Sequence, residues 1–272
     1  MSDNKNSMQK KIDGRYIANQ ALMERGSHPL KIFVEGENDK KCLLRFFKDE
    51  NVAIISSNNK QNAIEALRYY IQSKNKKKVK AISIVDSDYD RILKVSHDEG
   101  VFSTDDHDLL VQAINSQIAL KSIVNENKNK SKIDIADLKR KLFESCETLG
   151  YLRLINSEDD LGINFDNKDL FKLKRKKLIL QIFIQQPNLV NSINKKDLLI
   201  KLKNKKSESH SLNIICQGHD LCQSLSFLLG MNRDNIKKFL MTCYDIRCFK
   251  KTALFNDLKK WGDSNSIDLF DD

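Results

Sequence analysis

The chain has no run of eighteen apolar residues, so no membrane-spanning helix is expected. Its first residues, MSDNKNSMQKKIDG, lack an apolar core and do not read as a signal peptide. Six cysteines stand at 42, 146, 216, 222, 243 and 248, and none forms a Cys-x-x-Cys pair. Spread in this way, they read as reduced thiols of a cytoplasmic protein, mostly in apolar core segments. A disulfide framework and a tight zinc site are both disfavoured. There is no G-x-x-x-x-G-K-[ST] run, hence no phosphate-binding loop and no ATPase in this chain. No G-x-G-x-x-G is present to cradle a dinucleotide, and no internal repeat points to a solenoid.

What is present is a basic, soluble-looking chain of 272 residues and 31.4 kDa. That length suits one large domain, or a catalytic domain with a helical appendage, and it closes a core without staples. Lys and Arg number 47 against 37 Asp and Glu, a formal net charge of +10 that permits a nucleic-acid partner. The charges are not evenly spread. Acidic residues bunch at the ends of early apolar runs, in VEGENDK (34–40), IVDSDYD (84–90) and TDDHD (104–108). Basic residues form later runs, KLKRKK (172–177) and KKDLLIKLKNKK (195–206), after an earlier KNKKKVK (74–80). Carboxylates that hold a metal inside a basic surround that holds phosphates is the arrangement a metal-dependent nuclease needs.

Hydrophobic periodicity places strands at LKIFVE (30–35), NVAIISS (51–57) and VKAISIVD (79–86). Helices are expected between them, one capped by Asn38 or Asp39 and one over 59–74, the latter burying Ile64, Leu67, Tyr70 and Ile71. Strand–helix–strand–helix–strand order predicts an α/β fold, a mostly parallel sheet flanked by helices. VFSTDDHDLLVQAI (101–114) reads as a short fourth strand running into a helix, with Asp105 or Asp106 as cap. Beyond about 115 the pattern is helical, although LGINF (161–165) and SLNIICQG (211–218) read as further short strands. The expected divisions are a tail and short helix over 1–28, a core over 29–115, a lysine-rich helical insertion over 116–210, and a return to the core with C-terminal helices over 211–272.

In a parallel sheet, functional side chains collect past the carboxyl ends of the strands. Glu35 ends the first strand, and Asp86 ends the third, followed by Asp88 and Asp90. If those strands are neighbours, Glu35, Asp86 and Asp88 converge. Crowded carboxylates repel unless a cation relieves them, and hard oxygen donors suit Mg²⁺ or Mn²⁺. Gly36 would let backbone approach a phosphate closely.

Phe33-Val34-Glu35-Gly36-Glu37-Asn38-Asp39-Lys40 resembles the glutamate motif of TOPRIM domains, and Ile84-Val85-Asp86-Ser87-Asp88-Tyr89-Asp90 resembles their Asp-x-Asp motif. The likeness within that group is to standalone TOPRIM effector nucleases paired with an ABC-type ATPase in bacterial anti-phage defence (PARIS-like systems). It covers residues 30–110 and, more loosely, 211–230. The resemblance implies a TOPRIM-like fold with a helical insertion or C-terminal helical region. It implies Glu35 as general acid/base or metal-organising carboxylate and Asp86 and Asp88 as metal ligands. Asp90 is then an additional ligand, and Asp39 a helix-start residue supporting Glu35. A Thr-Asp segment and a late Gly-His-Asp segment correspond to Thr104–Asp108 and Gly218-His219-Asp220. The former runs into Leu109-Leu110 where the family commonly ends in Glu, so either Asp105 or Asp108 completes the site. Gly218-His219-Asp220 reads either as a glycine turn and helix cap, or as His219 or Asp220 reaching the metal or substrate. His107, among acidic neighbours, reads as a supporting partner or as a surface residue.

Lys172, Lys174, Arg175, Lys176 and Lys177, or Lys203, Lys205 and Lys206, are the expected phosphate contacts. Arg153 is as well suited to an ion pair as to a phosphate. The expected function is that of a metal-dependent endonuclease, with RNA such as transfer RNA favoured over DNA. By the resemblance it is a toxic effector controlled by a partner ATPase, and dimerisation on activation is plausible. The alternative is a non-catalytic regulatory or scaffold subunit that binds the ATPase or nucleic acid.

Overall fold

The computed structural model describes residues 12–23, 28–73, 79–126, 133–165 and 175–271. In chain order come α1 (Gly14–Met23), β1 (Leu30–Val34), α2 (Glu37–Leu43), β2 (Val52–Ser56), α3 (Lys60–Gln72), β3 (Lys80–Val85), α4 (Asp90–Leu93) and β4 (Val101–Ser103). Helices follow: α5 (Leu109–Asn115), α6 (Gln117–Glu126), α7 (Ile135–Asp159) and α8 (Arg175–Gln185), then a 3₁₀ turn (Pro187–Asn191). The chain continues through α9 (Lys195–Ser207), α10 (Leu212–Ile215), α11 (Gly218–Leu229), α12 (Arg233–Cys243), α13 (Ile246–Phe249) and α14 (Ala253–Ser264). No helix among the described residues is long and apolar enough to cross a membrane. Two compact units are formed. One comprises Met1–Asp86, Ser96–Asp105 and Asp245–Asp272, the other Ser87–Val95 and Asp106–Tyr244.

The first unit is built on a four-stranded, wholly parallel sheet in the order β2-β1-β3-β4. Its two central strands are apolar because helices cover both faces of a parallel sheet. All five residues of β1 are buried, with Leu30, Ile32, Phe33 and Val34 at 0% exposure. Full burial of each such side chain contributes about 1.5–3 kcal/mol. Asn59 caps α3 by accepting from the Asn62 amide at 2.8 Å. That helix buries Ile64, Leu67 and Tyr70, whereas Ile71, expected on the same face, is 40% exposed. α1 lies against α3, and Gly14 permits it: a Cβ there would stand 2.4 Å from Glu65 Cβ.

α2 starts directly after Gly36, earlier than an Asn38 or Asp39 cap would allow, and places Glu37 and Asp39 in its first turn, where the helix dipole favours anions. The last segment completes this unit. Phe249 stacks on Phe46 and Phe270 meets Phe47 at a tilt, each with ring centroids 4.9 Å apart, and Phe255 meets Phe270 at 4.6 Å.

The second unit is helical, without a strand among its described residues. Leu149, Leu152, Leu154 and Ile155 of α7 form its core with Ile182, Leu198, Leu202 and Ile215, and Tyr89 joins them. Neither further strand is found. Residues 161–165 are irregular, and Leu212–Ile215 make one helical turn. Apolar runs of four or five residues fit either period, so packing decides them.

Candidate functional site

In the first unit, Glu35 and Asp86 follow directly on β1 and β3. These strands are hydrogen-bonded neighbours, with Val34 opposite Ile84. Parallel pairing therefore delivers both carboxylates to the same, carboxyl end of the sheet. Both residues are half-buried. Glu35 Oε1 accepts the Asp86 amide at 2.8 Å, which orients the glutamate and ties the two strand ends together. Asp39 lies close by in the chain: a Cβ on Gly36 would stand 3.2 Å from Asp39 Oδ2, so the missing side chain leaves room for that carboxylate. Ser57, just past β2, is a residue the sequence reading passed over. Its amide donates to the Val34 carbonyl at 2.8 Å, and its buried hydroxyl has no hydrogen bond among the described residues.

Asp105 also belongs to this unit, and it serves a helix. Its two carboxylate oxygens accept the Ala253 and Leu254 amides, at 2.6 and 2.9 Å, in the first turn of α14. Thus neither Asp105 nor Asp106 caps the helix that follows β4; Asp108 does.

In the second unit, Asp88 has φ +45°, a left-handed conformation that costs a non-glycine residue about 1–2 kcal/mol. Its amide donates to the His107 carbonyl at 2.8 Å. Asp90 begins α4, with its amide on the Ser87 carbonyl at 2.9 Å. His107, ambiguous in sequence, is a buried residue at 1% exposure. Its Nδ1 stands 2.9 Å from the Ile214 carbonyl and its Nε2 3.7 Å from Asp88 Oδ1.

Asp108 is the N-cap of α5: Oδ1 accepts from the Val111 amide and Oδ2 from the Gly218 amide, each at 2.8 Å. The two Asp-bearing segments singled out in the sequence, 104–108 and 218–220, therefore meet through Asp108. Asp220 is held in a bidentate pair with Arg153, at 2.8 and 3.0 Å, and the guanidinium lies over the Phe165 ring at 4.6 Å. Bidentate, partly buried pairing of this kind is the strong form of a salt bridge. His219 is exposed; desolvation of its ring and then the nearby Lys237 charge lower its pKa. Asp106, which the sequence reading offered only as a cap, accepts from Asn213 and, at 3.1 Å, from Asn115.

Among the described residues, no group of three or more His, Cys, Asp or Glu side chains is arranged to hold a metal ion. The donor chemistry at Glu35 and Asp86 nevertheless fits Mg²⁺ or Mn²⁺. Mg²⁺ keeps several waters and is commonly held by one or two carboxylates together with substrate phosphates, without an all-protein cage. The thiols do not suit this role. Burial pushes Cys146 and Cys222 up to about 12, so neither offers a thiolate near neutral pH.

Of the expected phosphate contacts, Lys172 and Lys174 lie outside the described residues. Arg175 and Lys176 open α8, and Lys177 follows with an exposed side chain. On α9, Lys203 is exposed, while its neighbours pair with the acidic side of α7. Lys205 reaches Glu158 at 2.7 Å, Lys201 reaches Asp159 at 2.7 Å, and Lys206 is bonded to Glu147. The lysine run is thus in large part a helix-to-helix seam. A cavity of about 170 Å³ in the first unit, lined by Lys250, Phe255, Lys259 and Phe270 among others, contains none of the expected site residues. Comparison with protein-family models and with curated proteins gives no match to this chain.

Proposed function

We propose that the chain is a metal-dependent endonuclease of TOPRIM type that hydrolyses phosphodiesters. One observation carries this reading: Glu35 and Asp86 emerge side by side from the two central parallel strands, joined by the 2.8 Å bond from the Asp86 amide to Glu35 Oε1. Asp88, two residues on in the chain, and Asp90 enter through their spacing and the motif resemblance. In this reading Asp86 and Asp88 hold Mg²⁺ or Mn²⁺, with Asp90 as a further ligand. The ion supplies Lewis-acid stabilisation of phosphoryl charge and a more acidic bound water. Glu35, with one oxygen fixed by the Asp86 amide, is the carboxylate placed to take a proton or to order the ion. RNA, transfer RNA in particular, is the proposed substrate. The proposed role is that of a toxic effector in anti-phage defence, held by an ABC-type ATPase and paired with a second copy when active.

A second reading, a non-catalytic scaffold on the same fold, draws support from the lysines of α9 that are engaged in ion pairs and from the lack of a preformed three-ligand cluster among the described residues. The test is cleavage of labelled transfer RNA and of single- and double-stranded DNA by purified protein, titrated with Mg²⁺ and Mn²⁺. The expected result is metal-dependent cutting of RNA. Glu35→Gln should lose it by roughly 10²-fold or more, as expected for a positioned acid or base, with the thermal transition unchanged. Absence of cutting on every substrate would remove the hydrolase reading and leave the scaffold.

A further inference from the structure

Ser57 stands directly after β2 and is 0% exposed. Its amide donates to the Val34 carbonyl at 2.8 Å, so the ladder of β1 and β2 runs one step past the strands and sets Ser57 beside Glu35. Side chains alternate along a strand. Phe33 and Ile55, two residues back on each strand, pack in one hydrophobic cluster, and Glu35 and Ser57 continue that face. The Ser57 hydroxyl is buried with no hydrogen-bond partner among the described residues. Ser83 on β3 shows the ordinary arrangement for a buried serine of this sheet: its hydroxyl donates to the Phe33 carbonyl at 3.2 Å. A buried hydroxyl without a partner is unfavourable, and alanine at position 57 would avoid that cost. The group therefore asks for a role outside the fold of the sheet itself. Its neighbours supply one. Glu35 Oε1 is taken by the Asp86 amide, and no group of three or more metal-donor side chains is arranged among the described residues. A divalent ion at Glu35 and Asp86 thus keeps several waters, and those waters need polar groups to hold them. Neighbouring strands stand about 4.8 Å apart, and one water bridges polar groups separated by that much.

We infer that the Ser57 hydroxyl is an outer contact of the divalent cation, holding one of its waters beside Glu35. The inference rests on the metal-dependent reading above. Ser57→Ala in the full chain tests it through two readouts. One is the urea midpoint without metal; the other is Mn²⁺ affinity, followed by the paramagnetic resonance of the free ion. Binding is counted as that which Asp86→Asn removes. Without metal the midpoint should not fall, because the deleted hydroxyl bonds nothing in the sheet. Mn²⁺ should bind about tenfold more weakly, as when a group supporting a metal site is lost. The rise in midpoint that Mn²⁺ gives the wild type should shrink accordingly. A metal-free midpoint that falls, or a variant that does not fold, shows a structural serine and overturns the inference. Unchanged Mn²⁺ affinity overturns it as well. In each of these cases the metal-dependent reading stands on the binding of the wild type. A wild type with no Mn²⁺ binding sensitive to Asp86→Asn removes that reading, and this inference with it.

Discussion

Gly218 carries no side chain because Asp108 occupies the space: a Cβ there would lie 2.4 Å from both Asp108 Oδ1 and Leu110 Cβ. Gly218→Ala should therefore strain the very contact by which its amide reaches Asp108. The expected loss is about 1–3 kcal/mol, the usual range for overpacking. It should appear as a lower urea midpoint at unchanged slope; an unmoved midpoint would show that Asp108 has room to yield. The buried thiols give a second prediction. Burial raises Cys42 from 9.0 to about 11, and Cys146 and Cys222 to about 12. Above pH 9 the unfolded chain releases protons that the folded chain keeps, so unfolding is favoured as pH rises. The stability these thiols contribute is complete below pH 9 and disappears towards pH 11–12. Urea midpoints measured from pH 8 to 10.5 should fall, and less steeply in Cys146→Ala. At this scale the sequence is only half legible. Asp105 or Asp106 reads as the cap of the helix after β4, yet in the fold Asp105 serves α14 and Asp108 caps α5.

Helix starts were legible in type more than in place: α2 begins after Gly36 and not at Asn38 or Asp39, and α5 is capped by Asp108 and not by Asp105 or Asp106. Asn59, Asp134, Asn194, Asn232 and Thr252 each stand directly before a helix, and each side chain accepts an amide of the first turn. The meaning of the charges on those helices was not readable. Lysines on α9 look the same in sequence whether they grip phosphate or glutamate, because the choice depends on what α7 presents across the gap. Lys206→Ala should cost under about 1 kcal/mol, as surface pairs do. It should also leave the salt dependence of RNA binding unchanged, whereas a phosphate contact would reduce its slope by about one. Asp220→Ala is expected to behave differently. It strands Arg153, whose side chain is only 20% exposed, and should destabilise the protein by roughly 2–3 kcal/mol, somewhat below the ~3–5 kcal/mol of a fully buried pair because the guanidinium keeps some contact with water. Normal stability with abolished cleavage would instead place Asp220 in the chemistry.

The first unit is closed by the last segment of the chain. Residues 245–272 bring Phe249, Phe255 and Phe270 onto Phe46 and Phe47, and offer α14 to Asp105. Truncation after Tyr244 should expose that aromatic cluster and yield protein that aggregates or lacks a cooperative thermal transition. A soluble truncated chain with a sharp transition would show the segment to be dispensable. By itself the sequence determined the alternation of strands and helices in the first hundred residues, and which carboxylates stand at strand ends. Both follow from local hydrophobic period and covalent order. Tertiary structure decided the rest. It set β1 beside β3, so that Glu35 meets the Asp86 amide, turned residues 212–215 into helix, joined 104–108 to 218–220 through Asp108, and paired Lys206 with Glu147. Strand order and side-chain partners depend on contacts made across tens to hundreds of residues, and local periodicity does not encode them.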